Sequence, residues 1–208
     1  MSARTTTPAP DEQPFSLKAI LLPLLAVIVG MIMVILDSTV VNVALEKFRE
    51  EFGSSLNTIQ WTFTAYTLAL SAVIPLAGWL TDKFGAKRVF LVTIALFTLG
   101  SALCAAAQTI EQLILYRVIQ GLGGGMVAPI GMTMVFKLAP EGKRGAVMGT
   151  LGIPMLMAPA LGPVLSGWLI EYATWQWIFL INIPIGIVAV IVGIRHLPQF
   201  ERGKPPAL

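Results

Sequence analysis

The chain has 208 residues, of which 12% are charged and 56% are hydrophobic, and its formal net charge is +3. Soluble domains carry about 25% charged residues, so this composition excludes an ordinary soluble globular protein. One cysteine, Cys104, and one histidine exclude an internal disulfide and a thiolate or imidazole metal site, and we expect no metal and no cofactor. The basic residues lie in short connections between apolar runs, which is typical of membrane topology and predicts no nucleic-acid partner.

Six apolar runs follow one another along the chain. Each is long enough to cross a hydrocarbon core about 30 Å thick, which takes about 20 helical residues. They predict helices near 19–44, 58–80, 89–107, 112–136, 145–170 and 175–196. None shows the two-residue alternation of a membrane β-barrel strand, so we predict an all-α polytopic membrane protein with a six-helix domain over 16–197. Residues 1–15 are predicted to be a disordered cytoplasmic segment and 198–208 a cytoplasmic tail.

The connections between these helices predict their orientation, because cytoplasmic connections are enriched in Lys and Arg. One side carries the basic residues Arg4, Lys18, Lys83, Lys87, Arg88, Lys137, Lys143, Arg144, Arg195, Arg202 and Lys204. The other side carries only Lys47 and Arg49, next to Glu46, Glu50 and Glu51. We therefore predict a multi-pass protein of the plasma or inner cell membrane, in contact with the lipid bilayer, with both termini in the cytoplasm.

Two ionisable residues interrupt the apolar runs. Asp37 lies in "MVILDSTVVNVAL", roughly 10 Å from the outer end of helix one, and Arg117 lies at a similar depth in helix four. Ionisable residues are costly in a membrane span and tend to find partners, so we predict that the two form a pair. Two interpretations stay open: a structural or snorkelling pair, and a titrating carboxylate from which a substrate cation displaces a proton.

Helix five, "GAVMGTLGIPMLMAPALGPVLSGW", is rich in proline and glycine. Its prolines are Pro154, Pro159 and Pro163, and its glycines include Gly149, Gly152, Gly162 and Gly167. Prolines kink a helix, and glycines allow close approach of a second helix. Ordinary packing of small residues is one interpretation, and a bent helix at an interface that moves is the other.

The segment "GWLTDKFGAKRVFL" at 78–91 is similar to "GWLIEYATWQWIFL" at 167–180. Both begin with Gly-Trp-Leu, both end with Phe-Leu, and Asp82 aligns with Glu171. Helices two and five are therefore expected to occupy equivalent places in two three-helix units. Because each unit has an odd number of spans, the second unit must be inverted relative to the first, which is typical of secondary transporters.

These segments together resemble the N-terminal six-helix half of a major facilitator superfamily transporter, and more narrowly the fourteen-helix drug:proton antiporter family. "LDSTVVNVAL" is similar to the helix-one signature through Asp37 and Asn42, and "LILYRVIQGLGGG" to the helix-four motif through Arg117 and Gln120. The cytoplasmic loop motif matches at Gly78, Asp82, Gly85, Lys87 and Arg88. The antiporter motif of helix five matches at Gly149, Pro159, Gly162, Pro163 and Gly167, with Ala158 and Ser166 where that motif prefers glycine. "WQWIFLINIPIG" is similar to a segment of the fourteen-helix branch.

The resemblance implies roles for these residues. Asp37 would be the proton or cation site, with Arg117 as its relay partner and Asn42 and Gln120 beside them. Asp82 and Arg88 would belong to a cytoplasmic latch that stabilises one access state; the alternative is that the basic residues of the loop only anchor topology. Gly162 and Pro163 would set a bend that seals the domain against proton leak.

The resemblance also implies a function, which is proton-coupled export of lipophilic, often cationic compounds by alternating access, with protons as the coupling ion. Half a transporter would expose a concave face, and we expect Gln60, Trp61 and Tyr66 to line it. The expected partner is a second six-helix half, either in a parallel homodimer or in a separate C-terminal chain. A truncated folding domain and a non-transporting membrane binding or assembly subunit are the alternatives. We find no nucleophile with an adjacent base and no phosphate loop, so we do not expect an enzyme.

Overall fold

The structure, a computed structural model, describes residues 17–139 and 142–200. Its helices are α1 Leu17–Val43, α2 Leu45–Phe52, α3 Leu56–Val73, α4 Leu76–Phe84, α5 Ala86–Ala105, α6 Ile110–Leu138, α7 Arg144–Tyr172, α8 Trp177–Leu180 and α9 Asn182–His196. No strand occurs in these ranges. The predicted disordered segment 1–15 and residues 201–208 of the predicted tail lie outside the described residues.

The long helices provide six candidate membrane spans. Five are single apolar segments, formed by α1, α5, α6, α7 and the combined α8–α9 segment. The sixth is α3 followed by α4, which are bent by 53° relative to each other. The sequence predicted one continuous helix over 58–80, and the structure corrects this with a break between Val73 and Leu76. Pro75 lies in the break, where it lacks an N–H donor and its ring clashes with the preceding turn. The prediction of an all-α polytopic membrane protein is confirmed.

The first connection, which the sequence left without structure, contains the short helix α2. Gly53 ends this helix in the left-handed conformation, at φ 58°, which a residue without Cβ adopts at low cost. Phe48 is fully buried and lies against the rings of Trp175 and Phe179, with centroid distances of 5.6 and 6.1 Å. The aromatic contacts therefore attach the first connection to the start of helix six.

The charged residues of α2 lie on its exposed face. Lys47 pairs with Glu50 at 3.2 Å, and Arg49 pairs with Glu46 at 2.6 Å. The hydrogen bond that Arg49 donates to the Glu46 carboxylate raises the pKa of Arg49 above its ordinary value. Because these side chains are exposed, the pairs contribute little to stability.

Helix α6 lies at the centre of one group of helices, with α3 and α5 against it, while α1 packs against α6, α7 and α9. Glycines allow the backbones of neighbouring helices to approach each other closely. A Cβ at Gly123 would lie 2.5 Å from the backbone N of Phe97, and one at Gly121 would lie 2.7 Å from the carbonyl O of Tyr66. A Cβ at Gly100 of α5 would likewise lie 2.6 Å from Cα of Gln120. Small residues therefore bring the α3, α5 and α6 backbones together around Gln120.

Candidate functional site

Asp37 and Arg117 form an ion pair inside the domain. Nη1 of Arg117 donates to Oδ2 of Asp37 at 2.6 Å, and both side chains are fully buried. The pair predicted from their equal depth is therefore present. Burial excludes the snorkelling interpretation, because neither charge reaches the surface. The remaining interpretations, a structural pair and a titrating carboxylate, concern its role.

Two side-chain amides complete the contacts of the carboxylate. Nε2 of Gln120 donates to Oδ1 of Asp37 at 2.8 Å, and Nδ2 of Asn182 donates to the same oxygen at 3.0 Å. Oε1 of Gln120 accepts from Nη1 of Arg117 at 2.6 Å. The Asp37 carboxylate thus accepts three hydrogen bonds, from α6 and α9, one of them from a cation.

Asn182 is held at a break in helix six. Pro184 has no N–H to continue the hydrogen-bond ladder, and α8 ends at Leu180 while α9 begins at Asn182. The sequence predicted one continuous helix over 175–196, and the structure corrects this with an interruption at Ile181. Nδ2 of Asn182 also donates to Oγ of Ser101 at 3.0 Å, and Ser101 donates to the carbonyl of Phe179 at 2.9 Å. Hydrogen bonds therefore connect the carboxylate to the break.

Arg117 has further contacts around its guanidinium. Nε donates to the carbonyl of Thr62 at 3.2 Å, and the guanidinium carbon lies 3.7 Å from the centroid of the Tyr66 ring. A cation over an aromatic face is stabilised by the ring quadrupole. Nη2 of Arg117 and Oη of Tyr66 are buried and make no hydrogen bond with the described residues. Both N–H donors of Nη2 of Arg117 are thus without an acceptor among the described residues.

Not every predicted site residue lies in this cluster. Asn42 is exposed and far from the carboxylate on the helix surface, because five residues along α1 correspond to a rotation of about 140°. Gln60 and Trp61 are exposed, and their place in the lining of an open face stays a prediction. Tyr66 is fully buried beneath Arg117 and does not line an open face, which corrects the expected cavity lining.

Three residues of the cluster were not predicted from the sequence: Asn182, Ser101 and Thr62. A usable signal existed for Asn182, which is an amide within the apolar run "WIFLINIPIG" and lies two residues before a proline. Polar side chains in such runs tend to face the interior of the bundle. Ser101 offered no comparable signal, because hydroxyl side chains in membrane helices commonly bond to their own backbone. Thr62 contacts Arg117 only through its backbone carbonyl, which any residue carries.

The cytoplasmic loop motif lies between α4 and α5. Gly85 joins the two helices with φ 88°, in a conformation that favours glycine. Nζ of Lys87 donates to the carbonyls of Ile194 and Leu197 at 3.0 and 2.5 Å, at the end of α9. Asp82 and Arg88 make no ion pair within the part of the chain that the structure describes. Their role in a latch stays a prediction, and Lys87 is instead a link between the loop and helix six.

Gly78 of the same motif has open space beside it, because nothing lies within 4 Å of a Cβ built there. Its side of α4 forms part of a cavity of about 150 Å³, lined also by Ile74, Thr81 and Thr133. Among the residues that the structure describes, no packing contact therefore requires glycine at position 78.

The antiporter motif lies on α7, which contains three prolines and is still one helix from Arg144 to Tyr172. A Cβ at Gly162 would collide with the side chain of Thr39 on α1, and Oγ of Ser166 donates to the carbonyl of Val40 at 2.9 Å. Gly149 and Gly167 have no atom within 4 Å of an added Cβ. The close approach expected at these glycines is therefore confirmed at Gly162, and at Gly149 and Gly167, which have open space beside them among the described residues, it stays a prediction.

The remaining motif residues, Pro159 and Pro163, are exposed on α7. The same face presents large apolar side chains, including Leu156 at 80% exposure and Val164 at 70%. Helix α7 therefore buries one narrow strip against α1 and leaves most of its apolar surface uncovered by the described chain.

The domain has six candidate spans around a buried ion pair, which accepts hydrogen bonds from two side-chain amides. This arrangement is typical of polytopic membrane proteins that transport solutes. The sequence profile of the Major Facilitator Superfamily matches residues 27–208, and the chain belongs to this family. Family membership, rather than the lack of a catalytic cluster, supports the prediction that the chain is not an enzyme.

Curated relatives and solved structures agree with this assignment. The chain is 44% identical over 180 residues to the multidrug resistance protein B homolog of Mycobacterium tuberculosis (strain CDC 1551 / Oshkosh), which covers 86% of the chain and 33% of that protein. The chain thus spans about a third of the length of this relative, as the 33% coverage states.

Among solved structures, the chain is similar in fold to the proton:xylose symporter XylE bound to 6-bromo-6-deoxy-D-glucose, with a TM-score of 0.78 and 15% identity, covering 89% of this chain and 46% of that chain. It is also similar to the inward-open conformation of the xylose transporter XylE from E. coli, with a TM-score of 0.73 and 16% identity, covering 86% and 48%. At this identity the likeness concerns the fold alone.

Proposed function

We propose that the chain is a six-helix half of a transporter that exports lipophilic, often cationic compounds in exchange for protons, by alternating access. The observation that carries this proposal is the buried Asp37 carboxylate, which is bonded to Arg117, Gln120 and Asn182. The name of the Mycobacterium tuberculosis relative, a multidrug resistance protein, supports the substrate class.

The chemistry of the pair explains how proton binding is linked to conformation. In the described state, Asp37 and Arg117 neutralise each other inside the domain. A proton on Asp37 removes the negative charge and leaves Arg117 as a buried cation without a counter-ion. Removing one partner of a buried pair costs about 3–5 kcal/mol. Proton binding therefore favours a state in which Arg117 reaches another acceptor or water, and a substrate cation competes with the proton for the same carboxylate.

The proposed machinery extends to both ends of the domain. Asp82 and Arg88 form a cytoplasmic latch in one access state, and Gly162 and Pro163 shape the part of α7 that limits proton leak. Both termini lie in the cytoplasm, and the protein resides in the cell membrane. The partner is a second six-helix half, and the uncovered face of α7 is the surface consistent with such a partner.

Transport by the 208-residue chain in proteoliposomes tests the proposal, with ethidium as the probe and an imposed pH gradient as the driving force. We expect gradient-driven ethidium movement, and we expect Asp37→Asn to abolish it while helicity and membrane insertion stay unchanged. Asn42→Ala, on the same helix but outside the cluster, is the matched control and should retain transport. Unchanged transport by Asp37→Asn would contradict the role of Asp37.

The partner is tested by native mass spectrometry of the chain in lipid nanodiscs. A dimer would support a parallel homodimer that completes the transport path by symmetry. A monomer that shows no gradient-driven exchange would mean that the second half lies on a different polypeptide segment. A dimer without exchange would instead favour a membrane assembly subunit.

A further inference from the structure

The hydrogen bonds around Asp37 determine what happens when it binds a proton. The ionised carboxylate only accepts, and all three of its partners donate to it. A protonated carboxyl group must donate one hydrogen bond, and it therefore needs an acceptor among its neighbours. Arg117 has five N–H donors and no acceptor, so it cannot supply one.

Gln120 cannot supply the acceptor without loss. Its Oε1 accepts from Nη1 of Arg117 at 2.6 Å and lies 3.6 Å from Sγ of Cys104. Turning this amide would direct its NH₂ group at the guanidinium and would remove a charge-assisted hydrogen bond. The orientation of Gln120 is therefore held by Arg117 whatever the protonation state of Asp37.

Asn182 can supply the acceptor. Its Nδ2 lies 3.0 Å from Oδ1 of Asp37 and 3.0 Å from Oγ of Ser101. Its own Oδ1 accepts no hydrogen bond from the residues that the structure describes, so a half-turn of the amide sacrifices no bond of that oxygen. After the half-turn, Oδ1 lies where Nδ2 was and can accept from both Asp37 and Ser101.

The half-turn has a consequence at the break in helix six. Ser101 now accepts from Asn182 and donates to the carbonyl of Phe179. When Asn182 presents an oxygen, the Ser101 hydroxyl turns toward it, and the Phe179 carbonyl loses the hydrogen bond from Ser101. That carbonyl lies next to the break that Pro184 causes, where the helix ladder is already interrupted.

We propose that Asn182 is the positioning residue that transmits the protonation state of Asp37 to the α8–α9 junction, by reversing its amide from donor to acceptor. This inference rests on the proposed function, because it requires Asp37 to bind the coupling proton. The proton comes from solvent and binds at Oδ1 of Asp37, and no other bond besides hydrogen bonds is made or broken. The hydrogen bond from Ser101 to the Phe179 carbonyl stabilises the junction when Asp37 is ionised, and this bond is lost when Asp37 is protonated.

The other titratable groups near Asp37 are few. Arg117 of α6, Tyr66 of α3 and Cys104 of α5 interact with it. The buried residues of α7, α8 and α9 include no titratable side chain. A pH response of the junction that disappears in Asp37→Asn is therefore a response to Asp37.

Hydrogen–deuterium exchange of residues 177–184 tests the inference on the full chain in nanodiscs, at neutral and mildly acidic pH, with times corrected for intrinsic exchange. We expect exchange of this segment to rise several-fold on acidification of the wild type. Asn182→Leu, which keeps the shape but neither donates nor accepts, should lose this response. Ser101→Ala should exchange fast at both pH values. Ser38→Ala is the matched control, because Ser38 bonds only to its own helix at Ile35, and it should respond as the wild type does.

Infrared difference spectroscopy separates proton binding by Asp37 from its transmission through Asn182, because the carbonyl stretch of a protonated carboxyl group reports Asp37 directly. No such band on acidification, with Asp37→Asn as the blank, would overturn the proposed function. The band together with a pH response that persists in Asn182→Leu would overturn the inference alone. If Asn182→Leu does not fold, a wild-type pH response in Ser101→Ala overturns it equally.

Discussion

Arg117 and Asp37 differ in how their hydrogen-bonding capacity is filled. The carboxylate accepts three hydrogen bonds, whereas Nη2 of Arg117 has no partner among the described residues. The guanidinium is additionally supported by the Tyr66 ring, at 3.7 Å. All the hydrogen bonds of the pair's negative group come from buried donors, and the positive group keeps an unpaired Nη2. The proposed coupling uses this asymmetry, since the cation must find another acceptor when the acid is neutralised.

The ion pair between Asp37 and Arg117 should contribute measurably to stability. Arg117→Met should lower the free energy of unfolding by about 3–5 kcal/mol, because Asp37 is then a buried charge without its counter-ion. The double variant Asp37→Leu/Arg117→Met should recover part of this loss, because it leaves no buried charge. Unfolding in detergent–denaturant mixtures measures both. A double variant as unstable as the sum of the single variants would contradict the expected coupling.

Helix α7 makes its contacts with α1 through one narrow strip of side chains. Gly162 lies against Thr39 and Ser166 bonds to the carbonyl of Val40, while Pro159 and Pro163 are exposed on the remaining surface. The glycines of the motif are therefore not equivalent. Gly162 is needed for packing within the domain, and Gly149 and Gly167 face away from it.

The substitution Gly162→Leu tests the contact between α1 and α7. The side chain would overlap Thr39 and force α1 and α7 apart, and overpacking of this kind costs about 1–3 kcal/mol. Gly167→Leu, with nothing within 4 Å of the added Cβ, is the matched control and should cost little within the domain. Thermal unfolding followed by circular dichroism compares them. Equal losses for both variants would show that the α1–α7 contact is not the cause.

Interruptions in the helices have a common origin. Pro75 lies between α3 and α4, and Pro184 lies just after the α8–α9 break. Helix α7 is continuous although it contains three prolines. Proline therefore accompanies a break in two of the spans and not in α7, and at the second break Ser101 donates a hydrogen bond to the carbonyl of Phe179.

At the scale of the whole molecule, the distribution of Lys and Arg predicts which ends of the helices face the cytoplasm. The exposed residues Glu51 of α2 and Gly145 of α7 lie in connections that the sequence assigns to opposite sides. Cys104 is fully buried, so a cysteine introduced at either position is the reactive one. A membrane-impermeant maleimide applied to intact cells should label Glu51→Cys and should label Gly145→Cys only after permeabilisation. The reverse pattern would invert the proposed topology.

Hydropathy and residue spacing alone were enough to predict the helical membrane class, the approximate position of six spans and the similar depth of Asp37 and Arg117. These properties follow from hydropathy and from a fixed rise of 1.5 Å per residue, which are properties of one helix at a time. Gln120 was also identified, through its motif.

Helix packing places Asn182 and Ser101 in the cluster and leaves Asn42, Gln60 and Trp61 outside it. Packing also brings Gly162, unlike Gly149 and Gly167, into contact with α1. Each of these facts depends on how a helix is rotated about its axis and which helix lies beside it. That rotation is set by close packing between segments far apart in the chain, such as Gly100 against Gln120, and local sequence patterns do not contain it.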